Sequence, residues 1–137
     1  MKSVSTALVE GQLRNPWKFG GDHPVAGTPF DDPASGDNVY WRGRVWPTMN
    51  YLVWLGLRRY GFDRDAREVA SRSWAMFERS WSNRRCWENP NQRTGEGGDS
   101  PDSDPFYTWG ALLAVMGDLD VGEPFGAANP SEASAGW

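Results

Sequence analysis

The chain has 137 residues, enough for one ordinary domain, and carries a net charge of −4 from 14 basic and 18 acidic side chains. No basic stripe is present for a nucleic-acid backbone, and a single cysteine with a single histidine excludes an internal disulfide and argues against a zinc site, so we expect no nucleic-acid partner and no cofactor. No apolar run is long enough for a membrane span, and the first ten residues lack the apolar core of a secretory signal, which makes the cytoplasm the default location unless truncation has removed a leader.

Nine tryptophans, four tyrosines and six phenylalanines are the unusual part of the composition. Aromatic side chains bury large areas, so an aromatic core is one interpretation. A sugar site is the other, because the CH-lined faces of a pyranose stack on aromatic rings. The composition leaves both open.

Residues 1–39 are predicted to form a loop-rich arm. A short helix is expected over about residues 2–13, and the remainder is rich in residue pairs that form turns. These pairs include Asn15-Pro16, Gly20-Gly21, Thr28-Pro29 and Asp32-Pro33.

The first long helix is predicted over residues 48–60, directly after Trp46-Pro47, because proline is well tolerated in a first helical turn. Its apolar residues surround most of the helix, which is typical of a buried helix. These residues are Met49, Leu52, Val53, Leu55 and Leu57.

The second helix is predicted to begin with Asp63 as its N-cap and to be amphipathic. Its charged face, which includes Asp65, is expected to be solvated. A polar loop over residues 84–104 precedes a third helix at about residues 105–119, with Asp104 as its cap and Phe106 on its apolar side.

The order of a buried helix, an amphipathic helix and another buried helix is typical of an α/α toroid, in which inner and outer helices alternate. We therefore predict an all-α chain in which residues 40–120 are part of such a toroid and residues 121–137 are a flexible tail.

Two loops carry the candidate chemistry. The first loop, residues 40–47, and the second loop, residues 87–98, each precede a predicted inner helix, so both should open at one end of a toroid and meet in a pocket. Glu88 lies in the second loop beside Pro90, which restricts the preceding residue to an extended conformation. A carboxylate held in this way is a candidate general base, and an exposed loop carboxylate is the alternative.

Three segments of the chain resemble the C-terminal part of glycoside hydrolase family 63, a family of processing α-glucosidases with mannosylglycerate hydrolases close by. They are YWRGRVWPTMNYLVWLGLRRYG, WENPNQRTGEGG and FYTWGALL, and the resemblance covers about residues 17–119. It implies an (α/α)6 barrel and an inverting mechanism, in which one carboxyl group protonates the leaving oxygen and an opposed carboxylate activates water. Glu88 matches the family's base, although the motif Glu-Asn-aromatic-Asn-Pro here reads Glu88-Asn89-Pro90-Asn91.

The two loops and the third helix supply the candidate substrate-binding residues. The alternative for one of the two arginines is a structural ion pair with Asp31 or Asp32. For the aromatic residues the alternative is core packing, and for Glu96 it is an exposed loop carboxylate. His23 is expected to be a packing residue. The candidates are Tyr40, Trp41, Arg42, Arg44, Trp46, Trp87, Asn89, Glu96 and Trp109.

The family's general acid is an aspartate far upstream of the Glu88 motif, and no segment of this chain matches it. We therefore expect a C-terminal fragment of an inverting enzyme for α-glucosides or α-mannosides, which is inactive alone and assembles with the missing N-terminal half. The alternatives are a non-catalytic carbohydrate-binding remnant, a structural helical remnant, and a fragment of a trehalase-like or debranching-type glucosidase.

Overall fold

The structure, a computed structural model, describes residues 3–121. Helix α1, Val4–Leu8, continues into a π-helical turn at Val9–Leu13, and three longer helices follow: α2, Pro47–Arg59; α3, Asp63–Trp81; and α4, Leu112–Val121. Short 3-10 turns occupy Pro33–Gly36 and Thr108–Ala111, and in this range pairing between extended segments is limited to isolated bridges. The all-α prediction is confirmed, and the helices are arranged as part of an α/α toroid. None of the described helices is both long and apolar enough to span a membrane.

Polar contacts attach the arm to the long helices, and one of them joins Arg72 of α3 to the Gly21 carbonyl. Arg14 donates from Nε and Nη2 to the two carboxylate oxygens of Asp65 in α3, at 2.7 and 2.8 Å. Asn50 of α2 bonds both the main-chain N–H and the carbonyl of Val25, at 2.7 and 2.9 Å. The prediction of a solvated Asp65 is wrong, because Arg14 covers the carboxylate and its hydrogen bonds lower the Asp65 pKa.

Helix α2 is covered on one side only. Trp54 and Leu57 are buried in the core, whereas Met49, Leu52 and Leu55 are exposed. The prediction that this helix is buried all round is wrong for the described residues, because no described element covers its second side.

Helices α3 and α4 pack closely through small residues. A Cβ atom added to Gly117 would come within 2.6 Å of the Trp74 ring, so the ring lies directly on the α4 backbone. Asp120, near the end of α4, accepts hydrogen bonds from the Trp54 indole at 2.6 Å and from Arg58, which ties α4 to α2.

Two predicted helix starts are displaced. Asp63 is the first residue of α3, and Phe62 occupies the capping position without a side-chain hydrogen bond. The third helix begins at Leu112 rather than near residue 105, because Asp104 bonds the Phe106 N–H at 2.8 Å in a local turn and leaves the Phe106 ring exposed. Residues 122–137, most of the predicted tail, lie outside the described part of the chain.

Candidate active site

The structure brings the first and second loops together. The Val45 N–H donates to the Pro90 carbonyl at 2.7 Å, and the Gln92 N–H donates to the Gly43 carbonyl at 3.0 Å. Arg44 and Asn91 form an antiparallel bridge between these bonds. The two loops therefore form one continuous surface next to the start of α2.

Hydrogen bonds hold the backbone on both sides of the Glu88 side chain. Its own N–H donates to the Asp104 carbonyl at 2.9 Å, and the side chain of the fully buried Asn89 donates to the Asp102 carbonyl at 3.1 Å. Glu88 is only 9% exposed, and within residues 3–121 its carboxylate has no hydrogen-bond or ion-pair partner. The hydrogen bonds therefore hold the backbone at Glu88 and leave its carboxylate oxygens without a protein donor among the described residues, which keeps Glu88 a candidate for the general base.

Arg44 is 0% exposed and uses its guanidinium inside the protein. Nε donates to the Asn89 carbonyl at 2.8 Å, and Nη1 donates to Asp99 at 2.6 Å. Arg42 is exposed and pairs with Asp37 at 3.1 Å. Both arginines thus form ion pairs, with Asp99 and Asp37 in place of the predicted partners Asp31 and Asp32.

An aromatic cluster, formed by Tyr40, Trp41, Trp46, Tyr107 and Trp109, lies beside the loops. The Trp41 ring is stacked on Trp46 with centroids 3.8 Å apart, and Trp41 is 52% exposed while Trp46 is buried. Tyr40 has a φ of 46°, a costly conformation for an aromatic residue, and its carbonyl accepts the Trp46 indole N–H at 3.2 Å. Within this stack, Trp41 is the exposed ring and Trp46 is the buried one.

Trp109 and Trp87 occupy different surroundings. Trp109 lies with its ring centroid 4.5 Å from that of Tyr107, and its indole N–H is buried without an acceptor among the described residues. A buried donor without an acceptor is rare in a native structure, and bound water or ligand is a common partner. Trp87 lies on the backbone of the second loop, because a Cβ atom on Gly97 would be 2.0 Å from its ring.

The remaining candidates are peripheral. Glu96 is exposed in the second loop, where its carbonyl accepts the Asn91 N–H at 2.7 Å. His23 packs beside Gly95, and burial together with the charge of Arg79 lowers its pKa. Burial raises the pKa of the Cys86 thiol.

Across the described range, no group of three or more His, Cys, Asp or Glu side chains is placed to hold a metal ion.

Sequence reasoning did not find the residues that surround Arg44 and Asn89. Asp99 and Asn38 bond the Arg44 guanidinium, and Ser103 bonds the Asn89 backbone. The sequence did contain one signal for these contacts. An arginine between aromatic residues needs a carboxylate partner if it is buried, and the polar loop of residues 84–104 contains several carboxylates.

Asp99 gives the site a dependence on pH. Burial acts to raise the Asp99 pKa, but hydrogen bonds from Arg44 and two asparagines outweigh burial and hold the pKa below its usual value. A lowered folded-state pKa stabilises the fold above the unfolded value of about 4, and this stabilisation is lost as the pH falls through the folded value. We expect the free-energy difference of unfolding between the wild type and Asp99→Asn to narrow from pH 6 to pH 2, as measured by urea titration. A constant difference over that range would contradict this role.

The comparisons with known proteins agree with this arrangement. A family model described as the mannosylglycerate hydrolase MGH1-like glycoside hydrolase domain matches residues 2–110, which include both loops. The mannosylglycerate hydrolase of Thermus thermophilus is 33% identical to this chain over 89 residues, which are 65% of this chain and 19% of that relative. The chain thus corresponds to about a fifth of the length of that relative. The resemblance to family 63 and its neighbours is confirmed, and the chain belongs to the MGH1-like glycoside hydrolase family as part of its domain.

Proposed function

We propose that this chain supplies the general-base side of an inverting glycoside hydrolase, with Glu88 as the base. The observation that carries the proposal is the Glu88 carboxylate, which is nearly buried and unpaired within residues 3–121 on a backbone fixed by hydrogen bonds. In an inverting mechanism this group removes a proton from the water that attacks the anomeric carbon.

The aromatic cluster supports a carbohydrate as the ligand. Trp41 is 52% exposed and stacked on the buried Trp46, and its open ring surface suits the apolar face of a pyranose. The 3-10 turn that carries Trp109 contacts the Glu88 peptide, since a Cβ atom on Gly110 would be 2.6 Å from the Trp87 carbonyl oxygen. The substrate proposed first is mannosylglycerate, after the Thermus relative, followed by other α-mannosides and α-glucosides.

The general acid is proposed to lie in a part of the domain outside this chain. An inverting pair of carboxyl groups stands about 6.5–9.5 Å apart on opposite sides of the sugar. Two other described carboxylates lie close to Glu88 in the sequence: Glu96 of the second loop is exposed, and Asp99, directly after that loop, is held by Arg44. The purified chain should therefore not hydrolyse mannosylglycerate, and hydrolysis that is lost in Glu88→Gln would contradict this part of the proposal.

The uncovered side of α2 is the proposed contact with the rest of the domain. Beside this side, α1 and α2 line a largely apolar groove of about 770 Å³, and of the exposed residues Met49, Leu52 and Leu55 the groove includes Met49. Contiguous exposed apolar surface commonly marks an interface. The 19% share of the Thermus relative that matches supports the remaining part of a glycosidase domain as the occupant.

A graft tests the proposed function directly. The matched segment of the Thermus relative is replaced by its counterpart from this chain, so that one polypeptide holds both carboxyl groups. We expect the graft to release mannose from mannosylglycerate, and the relative truncated before the segment to release none. A folded graft that binds the sugar without hydrolysis, equally well with Gln at position 88, would favour a non-catalytic binding module.

A further inference from the structure

The buried guanidinium of Arg44 joins three segments of the chain, at residues 38, 89 and 97–99. Besides Asn89, the Arg44 guanidinium bonds Asn38 and Asp99, each at 2.6 Å from Nη1, and the Gly97 carbonyl at 3.2 Å from Nη2. Four of the five guanidinium N–H groups are thereby engaged. A side chain that is 0% exposed and used in this way has no surface to offer a sugar.

The bond to Asn89 is the one that bears on Glu88. Arg44 Nε donates to both the carbonyl and the side-chain oxygen of Asn89, at 2.8 and 3.2 Å. On the other side of Glu88, its N–H is held by the Asp104 carbonyl. The Glu88 backbone is thus fixed from both directions, and Arg44 makes the contact on the C-terminal side.

We propose that Arg44 is a positioning residue for Glu88: its buried guanidinium holds the Asn89 backbone and side chain and thereby sets the direction of the Glu88 carboxylate. This role rests on the proposed function of Glu88 as the base. Asp99 supplies the countercharge that a buried cation requires, and Asn38 and Gly97 complete its hydrogen bonds. Lysine cannot replace this arrangement, because one ammonium group cannot reach Asn89, Asp99 and Gly97 together.

The test follows Glu88 by NMR in the full 137-residue chain. The Glu88 side-chain carboxyl carbon is assigned by its absence from the spectrum of Glu88→Gln. In Arg44→Lys we expect amide hydrogen exchange at Glu88 and Asn89 to be at least about tenfold faster and the Glu88 carboxyl signal to move or broaden, because the local hydrogen bonds are lost. Exchange in the middle of α3 should change less than about twofold.

Arg14→Lys is the control, since Arg14 also pairs with a carboxylate, that of Asp65, and does so through two hydrogen bonds that join the arm to α3. It should alter exchange at the start of α3 and leave the Glu88 signals in place. If Arg44→Lys does not fold, Asn38→Ala removes a single acceptor of the same guanidinium and should produce a smaller change at Glu88.

Unchanged Glu88 signals in a folded Arg44→Lys, or in Asn38→Ala where only that variant folds, would overturn the proposal. An equal response of Glu88 to Arg14→Lys would do the same, because it would show general destabilisation. The measurement needs no turnover, so it separates failure of this inference from failure of the graft to hydrolyse its substrate.

Discussion

Glu88→Gln in the grafted enzyme is expected to lower kcat for mannosylglycerate by about 10²–10⁴-fold, the usual contribution of a general base. Glutamine has nearly the same shape as glutamate and accepts hydrogen bonds, but it cannot take a proton from water. The loss should appear in kcat with little change in KM, because the variant removes an interaction that develops in the transition state.

Glu96→Gln is the control for this variant. Glu96 lies in the same loop and carries the same charge, but its side chain is exposed. We expect kcat to stay within about threefold of the unsubstituted graft, since an exposed charge on the rim contributes little. Equal losses in the two variants would indicate that the charge of the loop matters and that Glu88 is not the base.

Azide adds a test of the stereochemical course. In Glu88→Ala the missing carboxylate leaves space, and azide needs no base to attack. We expect azide to restore turnover and to give a glycosyl azide of inverted configuration, because it enters on the face that water uses in an inverting enzyme. A retained configuration would exclude the inverting role of this loop.

The sequence located the two loops well because their signals are local. Trp46-Pro47 marks the start of α2, and Pro90 with the glycines after it marks the second loop. Their contact also followed from helix order, since both loops precede helices that the pattern assigned to the inside of a toroid. The structure joins them through backbone hydrogen bonds such as Val45 N–H to the Pro90 carbonyl.

The polar contacts around the site did not follow from the sequence, because they join residues far apart in the chain. Arg44 bonds Asp99, and Arg14 bonds Asp65, whereas proximity in the sequence had suggested Asp31 and Asp32 for the arginines of the first loop. Each ion pair depends on how two loops, or a loop and a helix, pack against each other. Hydrophobic periodicity predicts the elements but not which of their polar residues meet.

Burial on α2 was misjudged for a related reason. An apolar residue in a sequence shows that a position favours burial, but not whether the covering element belongs to the same chain. Leu52 and Leu57 look alike in the sequence, yet Leu52 is 59% exposed and Leu57 is 6% exposed.

Alanine at these two positions should therefore have very different effects. Leu57 belongs to the buried core, so Leu57→Ala leaves a cavity there and should reduce the free energy of unfolding by about 2–5 kcal/mol. Leu52→Ala removes side-chain atoms that already contact water, and its effect should stay within about 0.5 kcal/mol. Urea unfolding of the two variants, followed by far-UV circular dichroism, measures both changes in the free energy of unfolding. The comparison uses the same substitution at two positions of one helix.

Leu52→Glu then separates stability from assembly. If the exposed side of α2 contacts the rest of a glycosidase domain, this substitution should leave the isolated chain as stable as the wild type in urea unfolding, because the new charge stays in water. In the graft it should impair folding, because there the same face is covered and the glutamate must lose its hydration. A graft that tolerates Leu52→Glu without loss of stability would show that this side of α2 remains in contact with water even in the complete domain.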